Sequence, residues 1–165
     1  IGARDFLLSH QIVRNGFLLM FCGAALSSLM IFFGKHEVIA LYTSDAQVAL
    51  MAASLLTIAP FFHLLDAYQC MNTYVLRAHK IATMPFLIQT LLLTGVGLGG
   101  GFFFGYGPGR GALLWLNQIF TPGAAIGISS LWIMCCIALS CCGLILHYWY
   151  RKVIYKPMIA PLIRR

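Results

Sequence analysis

Apolar residues fall into four long runs along this chain, separated by short polar segments. The runs cover about residues 12–34, 46–76, 83–106 and 122–150. A helix needs roughly 20 apolar residues to cross the hydrocarbon core of a bilayer, and each run is long enough. The pattern therefore predicts an all-α membrane protein with four transmembrane helices.

Residues at the ends of the runs indicate where the helices begin or bend. Ser44 and Asp45 precede the second run, where side-chain oxygens can cap the free N–H groups of a helix start. Pro85 falls in the first turn of the third run and Pro122 opens the fourth, positions at which a missing N–H is harmless. Pro60 lies inside the second run, so we expect a kink there.

The lysines and arginines are distributed unevenly over the loops. If the four runs alternate across the membrane, nine of the eleven bases lie on one side and only Lys35 and Arg110 on the other. The nine bases are Arg4, Arg14, Arg77, Lys80, Arg151, Lys152, Lys156, Arg164 and Arg165. Basic loops favour the cytoplasmic side, so we expect a multi-pass protein with both ends of this segment in the cytoplasm.

Composition excludes a water-soluble fold. The 165 residues are 61% hydrophobic and 9% charged, against about 25% charged in soluble domains, and the mean hydropathy is +0.87. A net charge of +7 in a polar chain would suggest a nucleic-acid partner. Here the bases flank apolar runs, so we expect the lipid bilayer, and no nucleic acid, as the partner. No nucleophile, base and acid are grouped in the sequence, which argues against an enzyme.

Residues 107–121, between the third and fourth runs, do not fit a spanning helix. Their apolar part is too short to cross a bilayer, and Trp115 suits a membrane interface. We predict an interfacial helical turn on the outer face. A re-entrant or gating element is the alternative.

Two kinds of small residue are concentrated in the later runs. Gly95 with Gly99, and Gly97 with Gly101, have the Gly-x-x-x-Gly spacing that lets membrane helices approach closely. No strand precedes these glycines, so a nucleotide-binding loop is not predicted. The six cysteines lack the two-residue spacing of metal ligands, and we interpret them as small packing residues without a metal site.

Asp66 is the one acid inside an apolar run. An acid at mid-helix costs about 2.5–3.5 kcal/mol to insert, so such residues usually face a protein interior or a watery cavity and carry function. His63, Gln69 and Thr73 follow the helical spacing that shares a face with Asp66. We predict that Asp66 binds a cation and that the other three line its cavity. The alternative is a purely structural bond between Asp66 and a neighbouring helix.

Several segments together resemble the last third of the multidrug and toxic compound extrusion (MATE) antiporters. They are IGARD at 1–5, LYTSDAQV at 41–48, LDAYQ at 65–69, VLRA at 75–78 and the helix-opening Pro85. The resemblance covers about residues 1–106, and the fourth run agrees by hydropathy alone. Because the chain starts at Ile1 without a signal-peptide pattern, we expect it to be a piece of a longer protein.

The resemblance implies a part of a twelve-helix, two-lobed bundle, with these four helices as the ninth to twelfth. It implies export of organic cations from the bacterial cytoplasm across the inner (plasma) membrane by alternating access, in exchange for H⁺ or Na⁺ and without another cofactor. Asp66 matches the acid that helps bind the coupling cation in several members. The partners would be the missing helices and the organic cations. Two alternatives are a flippase for lipid-linked precursors and a membrane module that only packs.

Overall fold

A computed structural model of the chain describes residues 6–155, and this range contains helices and no strands. The prediction of an all-α membrane protein is confirmed. The helices are α1 Phe6–Tyr42, α2 Ala46–Leu56, α3 Ala59–Ala78, α4 Thr83–Leu91, α5 Gly100–Gly105, α6 Leu114–Phe120 and α7 Ile126–Tyr150. Two π-helical stretches, Leu92–Gly99 and Arg151–Tyr155, join α4 to α5 and extend α7. Residues 1–5 and the predicted cytoplasmic bases Lys156, Arg164 and Arg165 lie outside the described residues.

Three helical stretches in the described range are long and apolar enough to cross a membrane. They are Leu8–Tyr42, Thr83–Gly105 and Ile126–Tyr155. Helices α2 and α3 make a fourth if the pair, which is bent by 41°, forms one span. The first, third and fourth apolar runs therefore each correspond to one helical stretch, and the second corresponds to the bent pair of α2 and α3.

The kink expected at Pro60 occurs as a break just before it. Helix α2 ends at Leu56, four residues before Pro60, and α3 begins at Ala59 with Pro60 in its first turn. A proline ring clashes with the carbonyl four residues earlier, which accounts for the position of the break. At the other end of α2, the Asp45 side chain accepts hydrogen bonds from the backbone N–H groups of Gln47 and Val48, as predicted.

Helix α1 is longer than the run that predicted it. It extends over 37 residues, whereas the apolar run covers 12–34. At 1.5 Å per residue the helix is about 55 Å long, well beyond a hydrocarbon core of about 30 Å. Hydropathy locates the part that prefers lipid, but a helix continues through Arg14 and Lys35 because neither residue interrupts its backbone bonds.

The start predicted for the fourth helix at Pro122 is wrong by four residues, because α7 begins at Ile126. Gly123 has a φ of 84°, a left-handed conformation that glycine adopts without strain and that cannot continue a right-handed helix. The hydroxyl of Ser54 on α2 donates to the Pro122 carbonyl, so the turn is tied to the broken span.

Helix α7 forms the centre of the bundle, and one glycine stripe packs against it. A Cβ atom on Gly97 would contact Ala138 and Cys135, one on Gly101 would contact Leu131, and one on Gly105 would lie 2.7 Å from the Gly127 carbonyl oxygen. The predicted Gly97–Gly101 pair is thus a close-packing face, extended by Gly105. The predicted Gly95–Gly99 pair is not, since a Cβ on Gly95 meets nothing within 4 Å.

Gly105→Ala is expected to destabilise the protein by about 1–3 kcal/mol, because the new methyl group would press on the backbone of Gly127. Thermal unfolding of the detergent-purified protein measures the effect. Gly95→Ala adds the same methyl group in open space and is the control. Equal unfolding temperatures for the two variants would contradict the assigned packing face.

Candidate functional site

Asp66 lies in the middle of α3 and is half-buried, without a basic partner among residues 6–155. Its one hydrogen-bonding contact in the described range is the thiol of Cys70, with 3.9 Å between Sγ and Oδ1. A thiol is a weak donor, and the contact is long. The carboxyl group therefore keeps most of its capacity to bind a cation or a proton.

A chain of polar contacts leads from Asp66 along α3. The sulfur of Cys70 lies 3.5 Å from Gln69 Oε1, so the thiol can donate to either residue. The Gln69 side chain in turn donates to Thr73 Oγ1 at 3.1 Å, and both residues are buried. The sequence predicts for Cys70, as for the other cysteines, only a role as a small packing residue. In the structure it is the link between the carboxylate and the buried amide.

His63 faces a different helix from Gln69. Its Nε2 atom lies 2.8 Å from the hydroxyl of Ser27 on α1, and the neighbouring Ser28 hydroxyl donates to the Pro60 carbonyl at 3.1 Å. By contrast, Gln69 packs against Gly143 of α7. Asp66 thus lies between a histidine that contacts α1 and a buried glutamine whose backbone packs against α7. That His63, Gln69 and Thr73 line a cavity stays a prediction.

Lys35 adds a third polar contact between α1 and the broken span. Its ammonium group donates to Thr57 Oγ1 at 3.2 Å, at the residue where α2 has just ended, and lies 5.3 Å from the centre of the Phe32 ring. Ser27, Ser28 and Lys35 therefore all hold the segment around the break. We call this set of contacts the α1 seam.

Asn72 and His147 form a polar pair that sequence reasoning missed. Asn72 is fully buried on α3, and its Oδ1 atom lies 3.2 Å from His147 Nδ1 on α7. The His147 ring also packs against Tyr68 and Phe17, with ring centres 5.9 and 6.0 Å away. The sequence does contain a signal for Asn72, because this residue follows Gln69 by three positions and so lies on the polar face of α3.

A second polar cluster joins α6 to α7. Thr121 Oγ1 lies 2.7 Å from the hydroxyl of Ser129. The side-chain amide nitrogen of Asn117 lies 3.5 Å from the hydroxyl of Ser130. All four residues are buried, whereas Trp115 and Ile119 on the opposite side of α6 are more than 60% exposed. The region 107–121 contains a helix, α6, as predicted, and its polar side faces the bundle. That this helix lies at the outer membrane interface stays a prediction.

No group of three or more His, Cys, Asp or Glu side chains between residues 6 and 155 is arranged to hold a metal ion. The cysteines in that range are all free, and Cys142 is fully buried in the core with Leu76 and Leu146. This position agrees with a packing role.

Comparison with known families identifies the chain. The MatE family profile matches residues 1–106, which is more than half of the sequence. The chain belongs to this family. The matched range contains Asp66, the α1 seam and the whole of the broken span. A search of solved structures finds no significant match to the chain.

Several curated relatives carry the name NorM. The chain is 31% identical over 110 residues to the probable multidrug resistance protein NorM of Aromatoleum aromaticum, covering 66% of this chain and 24% of the relative. It is 30% identical to the multidrug resistance protein NorM of Burkholderia vietnamiensis, and the match covers 79% of this chain and 28% of the relative. It is 27% identical to the probable multidrug resistance protein NorM of Chromobacterium violaceum, and the match covers 94% of this chain and 31% of the relative. The matches therefore span about a quarter to a third of these relatives.

The Asn72–His147 contact is expected to stabilise the packing of α3 on α7. Asn72→Ala and His147→Ala should each lower the unfolding midpoint, and the double variant should show a coupling free energy of about 0.6–1.5 kcal/mol. Unfolding of the wild type, the two single variants and the double variant, each purified in detergent, gives the double-mutant cycle. Asn15→Ala, at an exposed position on α1, is the matched control and should leave the midpoint unchanged. Additive effects of the two substitutions would contradict a direct bond.

Proposed function

We propose that this chain is part of a multidrug efflux antiporter that exports organic cations in exchange for H⁺ or Na⁺ by alternating access. Asp66 binds the coupling cation. The observation that carries the proposal is a half-buried carboxyl group in a membrane helix without a lysine or arginine partner among the described residues. Membership of the MatE family and the relatives named multidrug resistance protein support the transport class.

The surroundings of Asp66 suit reversible cation binding. An ionised carboxylate is expensive in low dielectric unless it gains a proton or a cation, so its charge state follows cation supply on the accessible side. A permanent salt bridge would remove that response. The nearby groups, a thiol, an amide and an imidazole, include no lysine or arginine and leave the carboxylate free to exchange its cation.

The break before Pro60 supports a moving part close to the site. Transporters use discontinuous membrane helices near their binding sites, because such a helix can change its bend while its two halves stay intact. Here the break lies between α2 and α3, and Asp66 follows it by less than two helical turns of α3. Rearrangement of the α1 seam would then alter access to Asp66.

The proposal places the chain in the bacterial inner membrane, with both ends of the segment on the cytoplasmic side and the remaining helices of the transporter around it. The asymmetric distribution of nine against two bases supports this orientation. The substrate path would lie between this segment and helices outside it, so the four spans alone are not expected to transport.

Asp66→Asn in the full-length protein is expected to abolish drug resistance while leaving the protein in the membrane. The amide keeps the size of the side chain but cannot carry the cation charge. Resistance of a pump-deficient host and ethidium efflux under an imposed pH or Na⁺ gradient measure the loss. Asp45→Asn is the matched control, because asparagine caps a helix about as well as aspartate does, so normal efflux is expected.

Normal efflux by the Asp66→Asn protein would remove Asp66 from the mechanism. Asp66→Leu separates transport from a purely packing role. If the chain only packs against other membrane helices, the Asp66→Leu protein should insert into the membrane as well as the wild type or better. The activity of the full-length protein should then persist. The antiporter proposal predicts an inserted protein without efflux.

A further inference from the structure

A basic cavity lies between the beginning of α1 and the end of α7, away from Asp66. Its volume is about 280 Å³, and its walls include His10 and Arg14 from α1 and His147 and Arg151 from the end of α7. None of the residues that line it is acidic. Both arginines are exposed, and no hydrogen bond or ion pair engages either guanidinium group among the described residues.

The four basic residues form two matching pairs. Each helix contributes a histidine and an arginine four residues apart, which places both side chains on one face of the helix. In the four-span topology α1 and α7 run in opposite directions, so each helix offers its arginine at the level of the other helix's histidine. The cavity is thus flanked by positive groups from two sides.

The rest of the cavity wall is apolar and aromatic. Phe17 packs edge-on against His147 with ring centres 6.0 Å apart, and Tyr155 stacks obliquely on His10 at 5.1 Å. These contacts hold the histidines in place at the end of two apolar helices. A ligand here meets one arginine from each helix and the apolar and aromatic residues of the same wall.

We propose that this cavity binds the phosphate group of an anionic phospholipid. Arginine presents a planar fork of donors that matches phosphate oxygens, and basic pockets between membrane helices are typical sites for anionic headgroups. A lipid also explains the apolar wall, which a free phosphate ion would not use. The ten residues after Tyr155 carry three more bases and no acid, so the sequence there supplies no competing carboxylate.

The test uses the full-length protein in phosphatidylcholine nanodiscs with increasing fractions of phosphatidylglycerol. Native mass spectrometry counts the retained lipid and gives its apparent affinity. Arg14→Gln with Arg151→Gln should weaken phosphatidylglycerol binding about 10- to 30-fold, since each arginine contributes separately. The control, Arg77→Gln with Lys152→Gln, removes the same charge from residues outside the cavity wall and should change it less than threefold.

Further arms keep the result interpretable. Arg14→Lys with Arg151→Lys preserves the charge but not the fork of donors, so it should recover only part of the binding; that partial recovery separates ligand loss from misfolding. Inorganic phosphate, added at millimolar concentration to lipid-free protein, should protect it little against thermal unfolding. Equal losses in the test and control pairs would overturn the proposal. So would full protection by inorganic phosphate that disappears in the Arg14→Gln, Arg151→Gln protein, because the site would then be one for the free ion.

Discussion

In a bilayer every polar group must find its partner within the protein, because lipid offers no hydrogen bonds. The described helices meet this constraint almost throughout: Gln69 binds Thr73, Asn72 contacts His147, and the serines of α7 contact α6. The buried Oδ1 atom of Asn117 has no hydrogen-bond partner among the described residues, and the other exception is Asp66. It is a group of high charge density with a single long contact to a thiol. The arrangement satisfies the neighbours of Asp66 and leaves the carboxylate itself available.

The same constraint explains the shape of the second span. A proline within an apolar run removes one backbone donor and displaces the turn before it, so the chain breaks between Leu56 and Ala59. The α1 seam supplies hydroxyl, imidazole and ammonium groups where the regular helix is interrupted. In another part of the bundle, α5 packs closely on α7 through Gly101 and Gly105.

Much of this fold follows from hydropathy and a few local signals. Four apolar runs, the Asp45 cap and the Pro60 kink could be predicted because they depend on neighbouring residues alone. Helix ends could not: α1 continues into polar residues, and Gly123 delays α7 through a conformation that sequence spacing does not reveal. Equally, only the structure distinguishes Gly97 and Gly101, which meet α7, from Gly95, which meets nothing.

Asp66, at the centre of the candidate site, could be predicted from the sequence, but the contacts between helices around it could not. A lone acid in a membrane run singles out Asp66, whereas the roles of Ser27 and His147 depend on how α1 and α7 pack against α3. Those contacts join residues 36 and 75 positions apart. Helical periodicity relates only residues a few positions apart, so it cannot predict such distant pairs from a single sequence.

Infrared difference spectroscopy of the Asp66 carboxyl group in the purified full-length protein measures whether this group binds the coupling cation. Its band is assigned by its absence from the Asp66→Asn protein and followed as pH or Na⁺ is varied, with and without ethidium. We expect the band to report cation binding, and we expect ethidium to change the fraction of Asp66 that holds a cation. A carboxyl band that responds to neither the cation nor ethidium would contradict both expectations.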